Sequence, residues 1–181
     1  RINSVADAIK SGIVLLTEDR KDQGLFLGLS ISRNIMAAAI NSPKVMKKYI
    51  GAAGFLKQKS IDENNDLYYN KLRIKTPSMR RLVKFLSGGN QQKVVIAKWL
   101  ATGATVFMFD EPTRGIDVGA KAEIYKIMED LARNGNAVIM ISTEIPEVVN
   151  ISDRILVMRE GRIVAELDPA TTNEETIAHY S

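Results

Sequence analysis

Two short stretches of this chain carry residue types suited to phosphate chemistry. The first is Leu86-Ser87-Gly88-Gly89-Asn90-Gln91-Gln92. Ser87 is a good helix N-cap, and Val94, Val95, Ile96, Ala97 and Leu100 make the segment behind it an apolar helix. Two glycines in the first turn leave backbone N–H groups bare, and a helix start with bare donors and a hydroxyl attracts anions. The helix dipole adds about 0.3–1 kcal/mol per charge, and up to ~2 kcal/mol where the site is partly buried. The second stretch is Thr105-Val106-Phe107-Met108-Phe109-Asp110-Glu111-Pro112. Its apolar run reads as a central strand, and two carboxylates follow at the carboxyl end, where open α/β sheets place ligands. Asp110 is suited to hold Mg²⁺ through water, because Mg²⁺ keeps much of its hydration. Glu111 is suited to orient or deprotonate an attacking water. Taken singly, Ser-Gly-Gly also fits an ordinary cap and Asp-Glu a solvated strand end. The specific signal is the order: bare-amide helix, apolar strand, acid pair.

The elements that must position these residues follow from periodicity. Val5, Ala8 and Ile9 have helical spacing, with Gly12 as a stop, and Ile13-Val14-Leu15-Leu16 reads as a buried parallel strand. Helices are expected over 30–40, 44–57 and 61–72, with a turn at Thr76-Pro77-Ser78. Beyond these, helix 90–101 leads to strand 105–109, helix 118–133, strand 137–142 and a short helix 145–150. Strands 154–159 and 162–166 are joined by a Glu160-Gly161 turn. Alternating strands and helices imply a mostly parallel sheet covered on both faces, an α/β fold.

Composition narrows the function classes. The chain has 181 residues, enough for one domain, with 45% hydrophobic and 25% charged residues and a formal net charge of +4. The extra lysines read as a solvated surface. There is no cysteine, which excludes disulfides, thiolate metal sites and cysteine nucleophiles. The single histidine, His179, reads as a solvated tail residue. No apolar run approaches the roughly 20 residues needed to cross a bilayer. The first residues, Arg1-Ile2-Asn3-Ser4-Val5, do not read as a signal peptide, and without an initiator Met the chain is expected to be an excised piece.

The run Leu-Ser-Gly-Gly-Asn-Gln-Gln-Lys ending at Lys93, then Phe-Asp-Glu-Pro-Thr-Arg-Gly-Ile-Asp-Val-Gly-Ala-Lys ending at Lys121, resembles the ABC transporter nucleotide-binding domain. The first run is similar to the ABC signature, and the second to Walker B followed by the D-loop. The likeness continues through Ile141-Ser142-Thr143-Glu144-Ile145-Pro146-Glu147-Val148. Thr17-Glu18-Asp19-Arg20-Lys21 before Gly24-Leu25, together with Asn90-Gln91-Gln92-Lys93, resembles the C-terminal half of the simple-sugar importer ATPases, the ribose, galactose, xylose and arabinose group.

The resemblance implies a P-loop NTPase-like ABC ATPase fold with ATP and Mg²⁺ as cofactors. The chain would be one partial nucleotide-binding domain, 1–181, with a core remnant at 1–40. A helical subdomain would follow at 41–85, and the signature helix and catalytic core at 86–181. Glu111 and Glu144 would be catalytic and Asp110 the Mg²⁺ residue. Ser87, Gly88, Gly89 and Gln91 would reach ATP held by a sister domain. Glu18 would stand at the Q-loop position, and Asp117, also an N-cap for helix 118–133, in the D-loop. Met36, Met46 and Met79 are expected in the core rather than in a docking groove. Implied partners are the first nucleotide-binding domain of the same polypeptide, membrane permease subunits and, indirectly, a periplasmic sugar-binding protein. The place of action would be the cytoplasmic face of the bacterial inner membrane.

Three departures qualify the match. No G-x-x-x-x-G-K-[ST] occurs in these residues, so the phosphate-binding loop is absent and the chain alone is expected to bind ATP weakly or not at all. Glu18 stands where glutamine is common, and Glu144 where histidine is common. An ionised carboxylate cannot donate a hydrogen bond and repels a phosphate, so this site is expected to be slow or regulatory. Two other readings compete. One is a non-catalytic scaffold that only donates its signature to a partner's ATP site. The other is a nucleic-acid ABC ATPase, which would need a long coiled coil between Glu18 and Ser87; the short interval lacks heptads, so no nucleic-acid partner is expected.

Overall fold

Gly12 illustrates how local sequence sets the frame. Helix α1, Val5–Ser11, is capped by the Ser4 side chain and stops at Gly12, whose φ of 85° suits a residue without Cβ. The Gly12 carbonyl then accepts from the N–H groups of Thr105 and Val106, at 2.9 and 3.0 Å, setting the start of the sheet. Strand β1, Ile13–Leu16, runs parallel to β2, Val106–Asp110, in the register Ile13↔Val106 to Leu16↔Phe109. A third strand, β3, Ala137–Ile141, completes the order β1-β2-β3. The structure, a computed structural model, describes residues 1–51 and 54–181. It comprises two compact units, Arg1–Ile139 and Met140–Ser181.

In the first unit the core lies between the sheet and helix α5. Val14, Leu16, Phe107 and Phe109 are buried on one sheet face. Among the described residues, four α-helices lie between β1 and β2: α2 (Ile31–Ala39), α3 (Met46–Tyr49), α4 (Gln58–Lys71) and α5 (Gly88–Leu100). Helix α6, Val118–Arg133, follows β2. α5 packs against α2, α6 and β1 and is buried on nearly every side, as expected of a central helix. Even its Lys93 is enclosed. The ammonium donates to the Arg73 carbonyl at 3.1 Å and pairs with Glu123 of α6 at 2.7 Å. That hydrogen bond, and the lysine charge, hold the Glu123 carboxyl below its ordinary pKa.

Glu123→Ala is therefore expected to destabilise the fold by roughly 1–2 kcal/mol, less than a fully buried pair because the carboxylate is half exposed. Urea unfolding measures it. Since the folded carboxyl titrates below its unfolded value, the contribution is complete above the ordinary carboxylate range. It fades as the pH falls through the lowered value, so the difference between parent and variant should shrink in acid.

One expected element is overturned. The helix over 44–57 is reduced to Met46–Tyr49, followed by a tight reversal that brings Ile50 opposite Leu56. The Gly51 N–H donates to the Phe55 carbonyl at 2.8 Å, and Gly54 sits at φ 79°, so the two glycines break the helix that the lysines and apolar residues suggest. Ala52 and Ala53, inside the expected helix, lie outside the described residues. Helix α4 starts three residues before the expected position 61 and presents Ile61, Asn64, Asn65 and Tyr68 inward. Tyr49 donates to Asn64 at 2.7 Å and the Asn65 amide nitrogen to Ser32 at 2.6 Å, while the buried Asn65 Oδ1 finds no partner among the described residues. Met36 is buried as expected, whereas Met46 is exposed.

The second unit holds helix α7 (Ile145–Ile151), the antiparallel pair β4 (Ile155–Arg159) and β5 (Arg162–Leu167), and helix α8 (Glu174–Tyr180). Glu160 and Gly161 both have positive φ, 50° and 75°, which matches the twist of a two-residue hairpin turn. Ile155, Val157 and Ile177 form its core. Exposed His179 belongs to α8 rather than to an unstructured tail. Among the described residues, no helix is long and apolar enough to cross a membrane.

Candidate functional site

Parallel pairing of Leu16 with Phe109 sends Thr17-Glu18 and Asp110-Glu111 past the same carboxyl end of the sheet. Asp110 is the last residue of β2 and is half-buried. Glu111 turns sharply away with φ 45°, a left-handed conformation that costs a non-glycine residue roughly 1–3 kcal/mol and is concentrated at functional sites. The turn is closed by Arg114 N–H donating to the Glu111 carbonyl at 3.2 Å, over a buried Thr113. It leaves through Gly115, at φ 64°, to Asp117, whose side chain accepts from the Ala120 N–H at 2.9 Å and caps α6. Asp117 is thus an N-cap, as its sequence suggests.

Both glycines at the start of α5 lie against other parts of the chain. Gly89 is buried: a Cβ there would lie 2.5 Å from Cβ of Ala120, so this glycine lets α5 and α6 approach closely. Gly88 is half-exposed and sits beneath the Arg20 guanidinium, where a Cβ would come within 2.8 Å of Nη2. Ser87 has N-cap backbone geometry and is exposed, but its hydroxyl does not cap the helix; it accepts from the Asn90 amide at 3.0 Å. Gln91 is buried and directs its amide to the Val83 carbonyl at 3.4 Å, which anchors the turn ahead of the helix.

Glu18 forms an ion pair with Arg114, both side chains well exposed. Arg20, a residue that sequence reasoning left without a role, lies at the centre of this region. Its Nη1 donates to the Arg114 carbonyl at 2.8 Å and its Nη2 to the Gly115 carbonyl at 3.1 Å. Burial pulls its guanidinium pKa down from the ordinary value, with Asp19 opposing. The sequence signal was faint, since only the fold brings position 20 beside 114. A cleft of about 370 Å³ opens here, lined by Arg20, Lys21, Lys84, Gly88 and Gln91 among others. A second, of about 470 Å³, is lined by Glu18, Asp19, Arg20, Lys21, Arg114 and Gly115. The first cleft has a cationic wall of Arg20, Lys21 and Lys84, whereas in the second Glu18 and Asp19 offset much of that charge. Among the described residues, no group of three or more His, Cys, Asp or Glu is placed to hold a metal by itself. A hard cation at Asp110 would therefore take most of its ligands from water and from a phosphate, the ordinary habit of Mg²⁺.

Glu144 belongs to the second unit. It stands exposed at the start of α7, and its N–H donates to the Ser142 hydroxyl at 3.1 Å. That hydroxyl donates in turn to the buried Glu147 carboxylate at 3.2 Å.

A family model described as ABC transporter matches residues 5–114. The chain is 48% identical, over 97% of its length, to the ribose import ATP-binding protein RbsA of Clostridium perfringens, and spans 34% of that protein. It is 47% identical, over 98% of its length, to the ribose import ATP-binding protein RbsA of Rhodopirellula baltica, and spans 33% of it. The chain thus covers about a third of the curated relatives it matches. Among solved structures it resembles cbiO1 from Clostridium perfringens, part of the ABC transporter complex cbiONQ. That match has a TM-score of 0.70 and 26% identity, over 92% of this chain and 59% of the other. It also shares its fold with a nucleotide-free ATP-binding cassette from an ABC transporter, at a TM-score of 0.73 and 23% identity, over 98% of this chain and 68% of that one.

Proposed function

We propose that this chain, which belongs to the ABC transporter family, is the larger part of a nucleotide-binding domain that energises carbohydrate import. The observation that carries the reading is the acid pair at the carboxyl end of β2, with Glu111 held at φ 45° in a turn that reaches back to Gly88 of α5. The relatives' names support the sugar: both are ribose import proteins. They lend no support to a scaffold without ATPase chemistry, and that alternative is not carried forward.

In this reading Asp110 would hold Mg²⁺ through water, and the bound ion would neutralise phosphate charge. Glu111 aligns the attacking water and takes up its proton on the carboxylate. The Ser87 hydroxyl and the Gly88 N–H donate to a nucleotide held mainly by a sister domain. Gly89 and Gln91 position that helix start from within. Asp117 fixes the beginning of α6 at the seam, and Glu18 and Glu144 stand at the Q-loop and switch positions. The whole protein would act with permease subunits and a substrate-binding protein, at the cytoplasmic face of the membrane.

The test is ATP hydrolysis by the full-length protein. Hydrolysis should require Mg²⁺, and Asp110→Asn should raise the Mg²⁺ concentration needed for half-maximal rate by about tenfold, the loss of one charge on a hard cation. A parent protein without Mg²⁺-dependent hydrolysis overturns the reading.

A further inference from the structure

We infer that Arg20 is a positioning residue that locks the turn after Glu111 onto the start of α5; the inference rests on the nucleotide-site reading above. Three pieces of chain, distant in sequence, meet at its guanidinium: the stretch after β1, the turn 111–115 and the first residue of α5. Nη1 and Nη2 donate to the successive carbonyls of Arg114 and Gly115, and Nη2 lies over Gly88. A planar fork can serve two neighbouring carbonyls at once, which a lysine ammonium on a single stem does less well.

The stretch that carries Arg20 is itself fixed at both ends. Residues Arg20–Gly24 form one wide helical turn capped by Asp19, which accepts from the N–H groups of Lys21 and Asp22 at 2.9 and 3.0 Å. At the far end, Gly24 lies against Val95 of α5, where a Cβ would come within 3.2 Å, and the buried Lys98 ammonium donates to its carbonyl at 2.5 Å. At the near end, Glu18 pairs with Arg114. The Arg114 N–H in turn holds the Glu111 carbonyl. A shift of the stretch 18–24 therefore passes through Arg20 to both the carboxylate turn and the helix start. Arg20 touches neither reacting atom; it sets the spacing between groups that do.

The experiment measures steady-state ATPase and thermal unfolding of the full-length protein carrying Arg20→Ala or Arg20→Lys. In the Ala variant kcat should fall about tenfold with KM for ATP within about twofold of the parent, because geometry is lost while binding groups remain. The Lys variant should recover only part of kcat, and Tm should stay close to the parent in both. Parental kcat in the Ala variant overturns the inference. So does full recovery by Lys, which would mean that charge alone suffices, or a loss of kcat matched by a loss of Tm. Ser87→Glu, run alongside, separates the two levels. If it retains turnover, the nucleotide-site reading falls and this inference with it. If it stops turnover while Arg20→Ala does not, only this inference falls.

Discussion

Glu111→Gln in the full-length protein is expected to lower ATP turnover by about 100-fold or more, the usual contribution of a positioned general base. Glutamine keeps the size of the side chain and can still orient a water, but it cannot take the proton. Nucleotide affinity should change little, and a filter-binding or fluorescence titration should give a similar Kd for parent and variant. The fold should persist, since the left-handed turn at φ 45° is closed by backbone groups that the substitution leaves alone. Rapid-quench measurement of a single turnover checks the chemical step directly. Unchanged turnover would remove Glu111 from the mechanism and leave the acid pair a structural strand end.

Ser87→Glu is expected to reduce ATPase on the order of 100-fold, comparable with removing a donor aimed at developing charge, and to stop import. The reasons are local. Ser87 is exposed at the N-cap of α5, and its hydroxyl serves only the neighbouring Asn90 amide. A carboxylate at a helix N-terminus is tolerated by the helix dipole, so the fold loses little. The same carboxylate facing phosphate oxygens is repelled. Loss of turnover with an unchanged Tm would thus separate ligand contact from folding. Unimpaired ATPase and import would show that the start of α5 faces no nucleotide.

The elements most legible in the sequence are those whose signals are local. Helix α6 begins at an Asp cap and ends after Arg133, as its periodicity predicts, and the Glu160-Gly161 hairpin follows from turn chemistry alone. The apolar strands β1 and β2 and the position of the acid pair were equally plain, because a buried parallel strand is a continuous apolar run. What the sequence hid depends on distance in the chain. Gly89 read only as a bare amide donor, and the fold gives it a further role, the close approach of Ala120, thirty-one positions on. Gln91 read as an outward contact and is turned inward to Val83. Arg20 stood in the sequence only as part of the stretch Thr17–Lys21, and its two acceptors lie ninety-four and ninety-five positions away. The helix expected over 44–57 failed for a simpler reason: Gly51 and Gly54 were outweighed by their helix-forming neighbours, although backbone freedom there favours a reversal.

The pairing of β1 with β2 has a consequence for biosynthesis. Ile13 must wait for Val106 before the sheet can form. At about 5–20 residues per second on the ribosome, β1 is without its neighbour for roughly 5–20 s. During that interval Ile13-Val14-Leu15-Leu16 lacks its β2 partner on the nascent chain. The strand that leads into Glu18 thus gains its β2 hydrogen bonds only late in synthesis.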